Sequence, residues 1–229
     1  MKGLITLTIL LISFSLSAQS VKFNLQGSVK DTKNAKFAFI STLSQQVTIS
    51  SPKIFMVTPI VNGKFQFNDT FDLEGKQYQN ACVFVDERGN ISKEELAFKF
   101  KQLVWVTGRE NHLRRIILEN IKLDIEQRDQ MITSKIVSGG TLTKQLDENN
   151  QAVRDKNRKL LEFIKKYPDS PVSLIAVKDN NSIFDPSNKE KYESNYGLPS
   201  ELFILLSERL RKSKEGLKLI KEINKKSNK

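Results

Sequence analysis

Thr58-Pro59-Ile60-Val61-Asn62-Gly63-Lys64-Phe65-Gln66-Phe67 decides how this chain is read. Asn62-Gly63 lies between two apolar alternations, and a type I′ turn needs φ > 0 at both central residues, which Asn and Gly tolerate. The stretch therefore predicts a two-residue β-hairpin in which Val61 pairs with Lys64 and Ile60 with Phe65. Ile60, Phe65, Thr58 and Phe67 then share one face. An isolated hairpin is marginal in water, so these side chains require further strands and a second layer. Pro59 has no N–H and suits an edge or a non-bonded position.

The neighbouring sequence supplies those strands. Val21 to Leu25 alternates, Gly27 interrupts with a bulge or a close backbone approach, and Val29 resumes. Ala35 to Leu43 reads as a second strand with Phe37 and Phe39 on one face, and Gln46 to Ser50 as a short third. Downstream, Tyr78 to Val85 is apolar on both faces, as expected in the interior of a fold. Leu96 to Phe100 and Leu103 to Val106 alternate, and Leu113 to Leu118 and Ile121 to Ile125 flank a turn at Glu119-Asn120. Short strands at such spacing predict a mainly-β fold, an antiparallel β-sandwich of about eight to ten strands over residues 19–140.

At Ser138-Gly139-Gly140 the apolar period changes from two residues to three or four, which predicts a helical segment over 141–229. Thr141 is the expected N-cap of one long helix carrying Leu142, Leu146, Val153, Leu160 and Ile164. Tyr167-Pro168-Asp169-Ser170-Pro171 breaks it, and Ser170 with Pro171 starts a short helix through Val177. Asp179 to Pro199 reads as a loop. Ser200 is expected to cap a helix over Glu201 to Leu210, and Ser213 a last helix that frays from Lys221 onward.

Residues 1–18 have one lysine, an apolar run too short to span a bilayer, and small residues ending at Ala18, the pattern of a secretory signal peptide. The expected address is export to the periplasm or beyond, with outer-membrane association left open and no transmembrane segment in the mature chain. The formal net charge is +11. Its lysines are spread along the chain without an arginine-rich patch interleaved with aromatics, so nucleic acid is not an expected partner.

Candidate chemistry is sparse. Cys82 is the single cysteine, which excludes an internal disulfide and a Cys-X-X-Cys pair; its apolar surroundings predict a buried structural residue. His112 is the single histidine and cannot build a zinc site, nor does a Gly-X-Ser-X-Gly setting accompany it. Glu94-Glu95 and Asp86-Glu87 are adjacent pairs in turns, poorly placed to flank one glycosidic bond. Trp105 sits in an apolar alternation and reads as packing. Gly139-Gly140 lacks the Lys-Ser/Thr of a phosphate loop and reads as a hinge. These residues predict no catalytic, cofactor-binding or metal site, and leave any binding residues unspecified.

Several pieces in order carry a family resemblance: Phe23-X-Leu25-X-Gly27, Val61-Asn62-Gly63-Lys64-Phe65-X-Phe67, Leu118-Glu119-Asn120-Ile121-X-Leu123, Ser138-Gly139-Gly140-Thr141-Leu142, Phe163-Ile164-X-X-Tyr167-Pro168-X-Ser170 and Leu202-Phe203-X-X-Leu206-Ser207. Together they resemble domain of unknown function 4369 of Bacteroidota, the N-terminal domain of exported thiol-disulfide oxidoreductases, which usually has Gly where Asn120 stands. The resemblance implies an exported β-sandwich with a helical connector. Its redox activity is not implied, because the Cys-X-X-Cys pair of the family's thioredoxin-like domain has no counterpart here.

The expected function is that of a non-catalytic envelope module binding a partner protein or a small ligand, with no cofactor. A second reading is an accessory acting in trans beside a separate thiol-disulfide oxidoreductase. A hydrolase with a groove site is the third.

Overall fold

The computed structural model describes residues 20–42, 54–92, 94–95 and 112–227. The expected signal peptide, the strand at Gln46 to Ser50, the strands at Leu96 to Phe100 and Leu103 to Val106, and Trp105 all lie outside them. The described strands are β1 (Ser20–Asp31), β2 (Phe37–Ser41), β3 (Phe55–Pro59), β4 (Lys64–Asp72), β5 (Asn80–Asp86), β6 (Arg114–Ile117), β7 (Ile121–Gln127) and β8 (Lys135–Gly139). They make two four-stranded sheets, β4-β1-β7-β8 and β3-β2-β5-β6.

The predicted turn is present, yet its arms part. Asn62 and Gly63 have φ of 51° and 72°, and Val61 and Lys64 exchange both backbone hydrogen bonds at 2.9 Å. The pairing goes no further. β3 pairs with β2 in one sheet and β4 with β1 in the other, so Ile60 does not pair with Phe65. Ile60 donates its N–H to the Lys36 carbonyl at 2.8 Å instead, while the Gly63 carbonyl accepts from the Val29 N–H at 2.7 Å. The turn is thus a corner between layers. Pro59 lies on an edge strand, as its missing donor requires.

Gly27 sits in an unbroken register with β4, opposite Phe65. Of the two readings of this glycine, close approach is the one found: a Cβ there would lie 2.0 Å from the Phe65 ring. The bulge occurs elsewhere, in the β7–β8 pairing between Lys122 and Leu123. The sheets are also not wholly antiparallel, because β1 and β7 run parallel. β7 enters that sheet after the chain crosses from β6 in the other layer, at Leu118-Glu119-Asn120.

Phe23, Leu25, Phe67, Leu123 and Ile125 from one sheet and Ala38, Ile40, Val83 and Val85 from the other bury together in one core. Phe37 and Phe39 do share a face, the far side of the second sheet. There Phe39 stacks on Phe84 with centroids 4.8 Å apart.

Helices follow: α1 (Thr141–Asp155), α2 (Lys159–Lys166), α3 (Pro171–Ile183), α4 (Lys189–Tyr196), α5 (Pro199–Ile204), α6 (Glu208–Lys212) and α7 (Lys214–Ser227). With about 45% helix against 31% strand, the chain is mixed α and β rather than mainly β. The single long helix expected from the apolar stripe is two, because Lys156, Asn157 and Arg158 all take positive φ. Ser170 caps α3 as expected, accepting from the Val172 N–H, but α3 runs beyond Val177 to Ile183. The predicted loop to Pro199 is also largely helical: its Asn-rich start continues α3, and it includes α4. Leu198, not Ser200, precedes α5, and Ser207 caps a separate α6. Ser213 caps α7, accepting from the Gly216 N–H at 3.0 Å. The Lys-rich end stays helical through Ser227, where fraying was expected from Lys221, and Lys226 donates to the Asn181 and Ser182 carbonyls at 2.8 and 3.2 Å, tying it to the C-terminus of α3.

Candidate functional site

A polar junction forms where the β6–β7 crossing meets the start of α1. A helix N-terminus leaves N–H groups without intrahelical partners. Thr141 does not supply the cap, because Gly140 at φ 65° occupies the N-cap position without a side chain. Glu119 reaches across instead. Its carboxylate accepts from the Leu142 N–H at 3.1 Å and from the Thr143 N–H and hydroxyl at 2.7 and 2.8 Å. The Thr143 hydroxyl oxygen in turn accepts from the buried Ile117 N–H of β6 at 3.0 Å. Carboxylate and helix N-terminus are electrostatically matched, so the anion position that Gly139-Gly140 could offer is filled by the chain itself.

Asn120, next in sequence, holds the other sheet. Its side-chain oxygen accepts from the Asn24 N–H of β1 at 3.0 Å, and its carbonyl accepts from Gly140 at 2.9 Å. A Cβ at Gly139 would lie 2.1 Å from that carbonyl, which explains the glycine here. One step further, Arg114 of β6 is 5% exposed and donates twice to Asp147 of α1, at 2.8 and 2.5 Å. Asp169 and Arg209 pair similarly at 2.9 Å, joining the α2–α3 turn to α6. The guanidinium and the Ser207 hydroxyl hold the Asp169 carboxyl below its ordinary range.

The residues singled out in the sequence are scattered rather than gathered. His112 is half-exposed, its Nδ1 3.3 Å from the Asp129 carboxylate, which also takes Lys33 at 2.5 Å. Asp86 accepts from the Arg88 N–H at 3.0 Å, Glu87 pairs with Arg128 at 3.0 Å, and Glu95 pairs with Arg88. Cys82 of β5 lies between Ser41 and Arg115 in the sheet and is half-buried. Burial pushes its thiol up to about 11, against a small opposing pull from Arg115. Tyr78 is likewise pushed up by burial.

Among the described residues, shallow surface grooves include ones of about 230 and 270 Å³. The first lies between α3 and α7 around Asn181, Glu222 and Lys225; the second lies along α1 and α2 around Glu148, Gln151, Lys159 and Phe163. Neither contains the junction residues. Among the described residues no group of three or more His, Cys, Asp or Glu is placed to hold a metal ion. No described helix is long and apolar enough to cross a membrane.

Glu119, Thr143, Arg114 and Asp147 were not distinguishable in the sequence as a set, because they come from three separate elements. The Leu118-Glu119-Asn120-Ile121 piece is the available signal, but its pattern does not reveal which groups its side chains hold. Comparison with protein-family models, curated proteins and solved structures gave no match.

Proposed function

We propose that this chain is a non-catalytic, exported envelope module whose role is to bind a partner protein or small ligand. The observation that carries the reading is how the polar groups at the sheet–helix junction are used. Both oxygens of Glu119 cap α1, Arg114 takes both oxygens of Asp147, and Asn120 ties β1 to Gly140. Side chains so committed are positioned for structure, whereas a general acid, base or nucleophile must face a reacting atom. The leader-like residues 1–18 support the exported address, and the resemblance of the ordered sequence pieces to the Bacteroidota domain supports the envelope setting.

The same reading treats the two sheets as a β-sandwich, with the shared core of β1, β2, β5 and β7 as its interior. Affinity capture of the tagged, processed protein from its own envelope tests the proposal. The expected result is a saturable, stoichiometric partner or ligand. Failure to recover any above a tag-only control would count against it.

A further inference from the structure

The C-terminal helix has a feature that neither the core nor the junction uses. Lys214, Lys218, Lys221 and Lys225 recur at steps of four, three and four along α7, so all four fall within a sector of about 60° on one helix face. Each is exposed, and the opposite face buries Gly216, Leu219 and Ile223. Lys218 makes a long contact with Glu222, at 3.9 Å; Lys214, Lys221 and Lys225 have no ion-pair partner among the described residues. Beside the stripe Leu217 is 51% exposed.

From this arrangement we propose that the exposed face of α7 docks on an anionic lipid surface, the lysines lying over the headgroups and Leu217 entering the interface. The proposal goes beyond the binding role above and does not depend on it. Three observations favour a bilayer over another polyanion. The stripe is entirely lysine, a compact charge suited to a diffuse anionic plane, whereas bidentate phosphate or nucleic-acid recognition favours arginine. No aromatic residue lies on α7 to stack on bases. An apolar side chain flanks the cations, as in helices that lie in a membrane interface.

Sedimentation with vesicles tests the proposal, using wild type and variants with the same N-terminus so that any contribution of residues 1–18 cancels. Binding is expected to phosphatidylcholine vesicles containing about 30% phosphatidylglycerol and to weaken by at least about tenfold on pure phosphatidylcholine. Replacing all four lysines by Gln should weaken anionic-vesicle binding by about 600-fold, since each contributes about fivefold near such a surface. Replacing them by Arg should retain it, and all variants should unfold at the wild-type temperature because the side chains are exposed. Equal binding to both vesicle types, wild-type binding by the Gln variant, or duplex DNA bound as tightly as anionic vesicles would each overturn the proposal.

Discussion

Glu119 and Thr143, 24 residues apart in the chain, meet through two hydrogen bonds of 2.7 and 2.8 Å. One carboxylate thereby caps α1 and fixes the hydroxyl that satisfies Ile117 in β6. β6 and the beginning of the helices are held by the same side chain.

Glu119→Ala is therefore expected to lower stability by about 1–2 kcal/mol, the usual cost of losing an N-cap. Glu119→Gln, which keeps an acceptor, should cost less. Urea unfolding followed by circular dichroism measures the difference, and an unchanged midpoint for Glu119→Ala would show that water replaces the cap.

Thr143→Val keeps the shape but leaves the buried Ile117 N–H without its acceptor. A loss of about 1–3 kcal/mol is expected, with Thr143→Ser close to wild type. Hydrogen exchange at Ile117 should accelerate in the Val variant and not in the Ser variant.

The Arg114–Asp147 pair is asymmetric, with side-chain exposures of 6% and 41%. Removing the carboxylate strands a buried cation, so Asp147→Ala is expected to cost about 3 kcal/mol. Arg114→Met leaves an exposed carboxylate that water can solvate, and should cost less than half as much. Thermal unfolding of the two variants, ranked in the opposite order, would refute this account of the pair.

Gly27→Ala should be strongly destabilising in the wild-type background, because the added methyl meets the Phe65 ring. Phe65→Leu also destabilises alone. The double variant is expected to be more stable than the sum of the two losses implies, by about 1 kcal/mol or more in a double-mutant cycle.

Burial raises the Cys82 pKa from 9.0 to about 11. The folded state therefore holds its proton where the unfolded state releases it. The stabilisation linked to this difference is fully present below pH 9.0 and is lost as pH rises to about 11. The urea midpoint of wild type should fall over that window more steeply than that of Cys82→Ala. Equal slopes would place the thiol in water.

Much of the architecture is legible in local signals. Asn62-Gly63 announces the turn because two positive φ values demand those residues, and Ser170-Pro171 marks the start of α3 through cap chemistry alone. What pairing rules could not say is where the turn's arms go. Ile60 and Phe65 look like partners in sequence, but the Lys36 carbonyl and β1 compete for them and win. The break at Lys156-Asn157-Arg158 was hidden because the apolar stripe on either side keeps helical spacing across it. The Asn and Ser residues after Asp179 have loop propensity, yet α3 and α4 pack there and Tyr192 donates its hydroxyl to the Asn180 carbonyl at 2.7 Å. The junction stayed illegible for the same reason: Glu119 and Arg114 act through partners that only the tertiary fold brings near.

The proposed role is tested most directly by assaying the purified, processed protein against envelope substrates, alongside Glu119→Gln and Asp147→Asn. The account predicts no saturable turnover by any of the three. Turnover by wild type that one of these substitutions abolishes, in a variant that still folds with native stability, would contradict it.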